Sequence, residues 1–262
     1  MKLSISNIAW KNPDDILMYK KLKSFGFQGL EIAPTRIFPE NPYEHLDEAK
    51  DFALDLLEKY GLSISSMQSI WFGKNEEIFE SEESRSNLLD YTKKAILFAS
   101  ALSCHNLVFG CPRNRNIQSL DQMGIAKDFF KELGDYAYEH GTVLALEPNP
   151  VIYNTNFINY TKEAFDFVKE VDSKGFLVNI DLGTIIYNEE SLDTIDLKYV
   201  NHIHISEPNM LKLEKRELHR QLFKKIIQEN YKNYVSIEMK TQESIDDVLE
   251  IIEYVKGLND EY

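Results

Sequence analysis

The sequence predicts an α/β fold, a closed (β/α)8 barrel, and three observations carry that expectation. Short apolar runs enriched in β-branched residues alternate from end to end with longer stretches of helical period, as repeated βα units do. Eight such runs can be counted, and 262 residues is close to the usual size of one barrel. No glycine-rich turn follows the first run, so an open dinucleotide-binding sheet has no support.

In order, the strands are expected at residues 3–8, 29–32, 62–69, 106–110, 143–147, 176–181, 200–206 and 235–239. Amphipathic helices are expected to begin near Pro13, Pro42, Glu83, Ser119, Tyr160, Glu189, Glu214 and Ser244. Several are opened by Asp, Ser, Thr or Asn, whose side chain can accept from a free N–H of the first turn. Gly26, Gly61, Gly141 and Gly175 each stand just past such a stretch, where a left-handed cap residue is wanted. The irregular segments 36–45, 71–81 and 112–119 all follow strands, so they are expected to crown the end of the barrel where active sites sit. With no composition break and no low-complexity linker, residues 1–262 are expected to form one domain.

Composition narrows the partners. Against 29 basic residues stand 43 acidic ones, a formal net charge of −14 that repels polyanions and anionic membranes, so nucleic acid is not an expected partner. No run of 18 apolar residues occurs, and MKLSISNIAWKNPDD has neither a basic n-region nor a long apolar core. A cytoplasmic protein with no membrane partner is expected. Cys104 and Cys111 are too few for a disulfide framework and are expected to be reduced thiols in or near the core. The oligomeric state is left open, a homo-oligomer included.

The last four strands share one kind of chemistry. VLALE ends at Glu147, FLVNID at Asp181, VNHIHIS carries His204 near its end, and VSIE ends at Glu238. A barrel presents strand ends to one mouth, so these four can point at one spot. Three buried carboxylates repel one another unless a cation compensates them. One divalent metal ion held by Glu147, Asp181, His204 and Glu238 removes the conflict; Mn2+, Mg2+, Co2+ and Zn2+ all suit three oxygen donors and one imidazole.

Side chains two apart on a strand share a face. If the four candidate ligands face the axis, Ala145, Asn179, His202 and Ser236 form the layer beneath, where Asn179 and His202 can orient the ligands. Leu146, Ile180, Ile203 and Ile237 then face the helices. A lone acid at a strand end is ordinarily a cap or a surface residue, and it is the repetition on consecutive strands that argues otherwise. His202 reads as a satisfied interior histidine, and His45, His105 and His140 as surface residues. His219, near the start of the helix after the seventh strand, is a candidate to reach the mouth.

With these residues in place, the chain resembles the xylose isomerase-like TIM barrel superfamily, the sugar (phosphate) isomerases and epimerases that include hydroxypyruvate isomerase and the ketose 3-epimerases. The resemblance runs through KLSISNIAW, LVFGCPRNR, LEPN, NIDLGT, HIHISEPN and YVSIEM. It implies metal ligation by Glu147, Asp181, His204 and Glu238, with Glu147 and Glu238 also serving as catalytic acid and base. Those branches usually carry Asp-x-x-His after the sixth strand, whereas this chain has Thr184 in the histidine's place. The ketose 3-epimerases also carry an arginine soon after the seventh strand, where this chain has Asn209 and Met210. Arg115 of CPRNR is the candidate replacement, a clamp for an anion or hydroxyl, while Arg113 reads as a solvated loop charge. Arg115, Thr184, His219 and Asn149 of LEPN make up the expected substrate-binding set.

The expected function is a metal-dependent isomerase or epimerase of a small sugar or sugar phosphate, working through an enediolate. A lyase on the same scaffold, an inosose-type dehydratase, needs the same proton abstraction. An apurinic endonuclease relies on several zinc ions and more strand-end histidines than His202 and His204. A non-catalytic sugar-binding barrel is the remaining alternative, kept open by Thr184.

Overall fold

The computed structural model describes Met1–Glu261. Among these residues eight parallel strands close a barrel in sequence order: β1 (Lys2–Ser6), β2 (Gly29–Ile32), β3 (Ser63–Met67), β4 (Leu107–Phe109), β5 (Leu144–Leu146), β6 (Phe176–Asp181), β7 (Val200–Ile205) and β8 (Tyr234–Ile237), with β8 pairing back onto β1. The outer layer is α1 (Asp15–Ser24), the short α2 (Pro34–Ile37), α3 (Leu46–Tyr60), α4 (Glu82–Ala101), α5 (Met123–Glu139), α6 (Thr161–Val171), α7 (Leu182–Tyr187), α8 (Glu217–Gln228) and α9 (Ile245–Asp260).

Alternation along the strands sends polar side chains to the axis and apolar ones to the helices. On the axis, Ser4 Oγ lies 2.5 Å from Ser65 Oγ, Asn106 Nδ2 donates to Ser66 Oγ at 2.9 Å, and His202 Nε2 is 2.9 Å from Ser236 Oγ. Apolar burial is concentrated in the ring between wall and helices. There the Phe130 ring on α5 lies 4.9 Å from both Phe109 of β4 and Phe176 of β6, and 5.2 Å from Phe129. Burying each such ring contributes about 1.5–3 kcal/mol. The barrel is thus held from outside its wall, which leaves the interior free to carry polar groups.

Helix starts follow capping chemistry. Ser81 accepts from Ser84 N at 3.0 Å and Ser244 from Asp246 N at 3.1 Å, and Glu163 reaches back to Tyr160 N at 3.1 Å. Gly26, Gly61 and Gly141 take the left-handed conformation expected of them, at φ 74°, 70° and 72°.

Two expectations are corrected. Gly175 is no left-handed cap: α6 ends at Val171 and Asp172 takes that conformation, at φ 49°. Glycine is needed at 175 because a Cβ there would lie 2.1 Å from the Gly134 carbonyl oxygen and 2.6 Å from Tyr138 N, both on α5. The helix expected near Glu189 instead begins at Leu182, directly on the end of β6. Asp181 Oδ2 accepts from Thr184 N at 2.7 Å and caps the helix from the strand's last residue, so no loop intervenes.

Candidate metal and acid–base site

Glu147, Asp181, His204 and Glu238 come together at the C-terminal mouth of the barrel, with one donor atom from each lying within 4.8 Å of the others. Asp181 and His204 sit opposite each other in the β6–β7 register. Glu147 and Glu238 fall just past β5 and β8, yet their N–H groups still donate to Phe109 O (3.0 Å) and Ile205 O (2.9 Å), so the wall fixes their backbones. His204 Nδ1 is 3.0 Å from Glu147 Oε1 and 3.3 Å from Glu238 Oε2. Asn179 Nδ2 donates to Glu147 Oε1 at 2.7 Å and lies 3.3 Å from His204 Nδ1. Asp181 accepts from the Ser206 hydroxyl and, at 2.9 Å, from Thr184 Oγ1.

The electrostatics are those of a site short of positive charge. Burial and the neighbouring Glu147 push the Asp181 carboxyl up to about 6, and burial pushes Glu238 up to about 7 against the pull of His204. Burial disfavours charge on His204, but Glu238, Glu31 and Glu147 outweigh it and hold its pKa well above the usual imidazole range. Among the described residues no lysine or arginine pairs with the three carboxylates; His204 is the ion-pair partner of Glu147 and Glu238. The donor set fits a divalent cation in chemistry and in spacing. Edges of 3.0 and 3.3 Å match the roughly 3 Å between neighbouring ligands of an octahedral ion at about 2.1 Å.

These residues open on a pocket of about 420 Å3, whose lining includes Gln68, Gly110, Asn149, Tyr153 and Lys240. Of the expected substrate-binding set, only Asn149 lines it, with Nδ2 donating to Glu147 Oε2 at 3.1 Å. The other three are corrected. Arg115 is fully buried behind the wall, its Nη2 donating to Glu147 O (3.0 Å) and Asn149 Oδ1 (2.9 Å), while Nε and Nη1 have no partner. The loop after β4 folds the guanidinium under the site instead of over it, and burial lowers its pKa to about 10. Thr184 is buried too and turns its hydroxyl to Asp181 Oδ2 and Pro148 O. His219 is buried against α9, its Nδ1 3.1 Å from Tyr254 Oη, away from the pocket. Asn179 and His202 lie in the layer beneath the cluster, as strand parity predicts, and burial lowers the pKa of His202.

Sequence reasoning missed several residues. Glu31 of β2 is fully buried on the axis, with Oε2 2.8 Å from His204 Nε2 and 3.4 Å from His202 Nε2. Both histidines hold its pKa well below the carboxylate range despite its burial. The signal was present: an acid in the middle of an apolar strand run, GLEI, on the axial parity. Gln68, which donates to Glu238 Oε1 at 3.2 Å, and Tyr153, whose hydroxyl accepts from Asn209 N at 2.9 Å, carried no comparable signal. Three non-glycine residues of the lining are held in left-handed conformations, Ser69 (φ 54°), Cys111 (φ 43°) and Met210 (φ 53°), one in each of three mouth loops. Strain of this kind gathers where a site is shaped.

Residues 19–258 match the family model described as xylose isomerase-like TIM barrel. No curated protein is a significant match. Among solved structures, 3-keto-D-glucoside 4-epimerase from E. coli is similar at a TM-score of 0.78 and 21% identity, over 99% of both chains. D-psicose 3-epimerase from Clostridium cellulolyticum H10, solved with D-tagatose, gives 0.77 and 17%, over 100% of this chain and 98% of that one. A family 2 AP endonuclease from Brucella melitensis gives 0.73 and 20%, over 96% and 98%. With the closed eight-stranded barrel and a family match over most of its length, the chain belongs to the xylose isomerase-like TIM barrel family.

Proposed function

We propose that the chain is a divalent-metal-dependent isomerase or epimerase of a small sugar, with Glu147 and Glu238 moving the proton. The observation that carries this reading is the placement of two glutamates, from the ends of β5 and β8, on a shared histidine nitrogen at the floor of an open pocket. Two of the similar structures are by name sugar epimerases, and one was solved with a ketohexose, which supports a substrate of comparable size. The pocket lining has one cationic side chain, Lys240, beside Glu147, Asp181, Glu207 and Glu238, which favours a neutral sugar over a sugar phosphate. Together with the net charge of −14 it weighs against a nucleic-acid substrate.

Glu147, Asp181, His204 and Glu238 would hold the ion, which when bound supplies Lewis-acid stabilisation of the negative charge that develops on the substrate's oxygens. The chain's own residues handle the proton. Glu147 Oε1 and Glu238 Oε2 face His204 Nδ1, so Glu147 Oε2 and Glu238 Oε1 are the oxygens left to take and return it. Asn149 Nδ2 orients the first and Gln68 Nε2 the second. One carboxylate removes a proton from the carbon beside the carbonyl and the other returns one. Return to the opposite face of the same carbon epimerises the sugar, and return to the neighbouring carbon, with a proton passing from the hydroxyl oxygen to the former carbonyl oxygen, isomerises it.

The test is NMR of a panel of ketoses and their phosphates incubated in deuterated water with protein loaded in turn with Mn2+, Mg2+, Co2+ or Zn2+ and then freed of excess ion. Solvent deuterium is expected at the carbon next to the carbonyl of a neutral ketose. Turnover without deuterium incorporation, or turnover of phosphates alone, overturns the corresponding part of the reading.

A further inference from the structure

The cluster at the mouth has an anionic support on the far side of the barrel axis. His204 is the one candidate ligand with two ring nitrogens to commit. Its Nδ1 faces Glu147 and Glu238, and its Nε2 lies 2.8 Å from Glu31 Oε2, contributed by β2 from a position 173 residues away. Glu31 is fully buried, and its other oxygen, Oε1, has no hydrogen-bond partner. The contacts of its carboxylate are therefore His204 and, more distantly, His202 at 3.4 Å, whose Nε2 is also engaged by Ser236 Oγ. Burying a carboxylate with half of its acceptor capacity empty is costly, and a strand that only had to pack would carry an apolar residue there.

We propose that Glu31 is a positioning residue for the metal site, fixing His204 so that it ligates through Nδ1. This inference rests on the metal-site reading above. A carboxylate at Nε2 accepts that nitrogen's proton, so the neutral ring keeps its lone pair on Nδ1, the nitrogen directed at the carboxylate cluster. The negative charge of Glu31 then acts through the ring on whatever Nδ1 binds and makes the imidazole a stronger donor. Glu31 itself touches neither substrate nor ion.

The experiment titrates Mn2+ and Zn2+ into metal-free full-length protein by calorimetry, and reads the His204 ring in the zinc-loaded protein by nitrogen-15 NMR. Wild type, Glu31→Gln, Glu31→Leu and Asp181→Asn are compared. Glu31→Gln keeps the shape and can still accept from Nε2, so it folds, and its metal affinity is expected to fall by roughly ten-fold. Glu31→Leu removes the acceptor, and a loss of roughly a hundred-fold is expected, the upper range for partners of this type. In wild type the ring is expected with its proton on Nε2 and zinc on Nδ1, a signature that a merely structural role for Glu31 would not produce. Unchanged affinity in Glu31→Gln, or zinc on Nε2, overturns the positioning role while leaving the metal site in place. A wild type that binds neither ion, or an Asp181→Asn that binds as well as wild type, overturns the site itself.

Discussion

From β5 to β8 the strand ends bring three carboxylates and an imidazole to the pocket, whereas β1 to β4 and the residues just after them bring Ile8, Gln68, Val108 and Gly110. On its first four strands the axis is hydrogen-bonded through Ser4, Ser65, Ser66 and Asn106, with Glu31 as its one buried acid. The contrast separates two tasks that a barrel can allot to different strands. One half carries most of the charge, and the proposed chemistry belongs to it. The other sets the shape of the pocket and the orientation of the charged groups.

The largest effect that can break this division lies in the charged half. Glu147→Gln and Glu238→Gln each remove a group able to take up a proton while keeping its size, and kcat at saturating metal is expected to fall roughly a hundred- to ten-thousand-fold. Steady-state kinetics on the substrate identified in the deuterium experiment measures it. Near-wild-type kcat in either variant would mean that the proton is carried elsewhere, and the first four strands would have to be searched for the missing base.

How legible each half was follows from the physics of strands. The charged half announced itself because alternation fixes where a strand residue points, so Glu147, Asp181, His204 and Glu238 could be aimed from their positions alone, and Asn179 and His202 placed beneath them. The observed β6, Phe176–Asp181, has the bounds read from the sequence. No such rule reaches into a loop. Arg115 and His219 follow strands by several residues, and the chain between folds back on itself, so sequence distance from the mouth did not translate into direction. Thr184 was misjudged because Asp181 has two partners to serve, and its cap starts α7 without a loop. Glu31 lies inside β2 and not at a strand end, so the repetition that marks the four candidate ligands does not include it, although its parity places it on the axis.

A smaller effect sharpens the comparison from inside the charged half, by testing a residue that the structure removes from the site. Burial lowers the His219 pKa to about 4, the pull of Glu207 being insufficient to offset it and Arg216 adding to the shift. Its folded value lies below its unfolded value of about 6.5, so the unfolded chain binds the proton first. The stability that neutral His219 contributes is present above pH 6.5 and is lost as pH falls from there through about 4, some 2.5 pKa units or about 3 kcal/mol. Urea unfolding at pH 7.5 and 4.5 is expected to show that loss in wild type and a correspondingly smaller one in His219→Gln, which does not titrate. Equal pH dependence in the two proteins would place the acid sensitivity elsewhere.

The smallest effect belongs to the half formed by the first four strands and tests whether shape alone matters at the pocket wall. Gly110 follows β4 at the pocket wall, and a Cβ built on it would lie 2.9 Å from Glu147 Oε2, the oxygen assigned to the proton. Relieving that contact to an ordinary one of roughly 3.4 Å requires a displacement of about half an ångström. Glu147 cannot swing aside freely, since Oε1 is held by Asn179 and His204 and Oε2 by Asn149. A misplacement of about 1 Å costs on the order of a hundred-fold, so half of that corresponds to roughly ten-fold in kcat for Gly110→Ala. Because the new methyl alters no charge and no donor atom, the metal affinity of Gly110→Ala is expected to stay within about two-fold of wild type, in contrast to Glu31→Gln. Kinetics and calorimetry on the same preparation separate the cases. A fall in kcat with unchanged metal binding assigns Gly110 to shaping the proton-transfer path, and a parallel loss of metal would show that the wall at β4 also supports the ion-binding carboxylate.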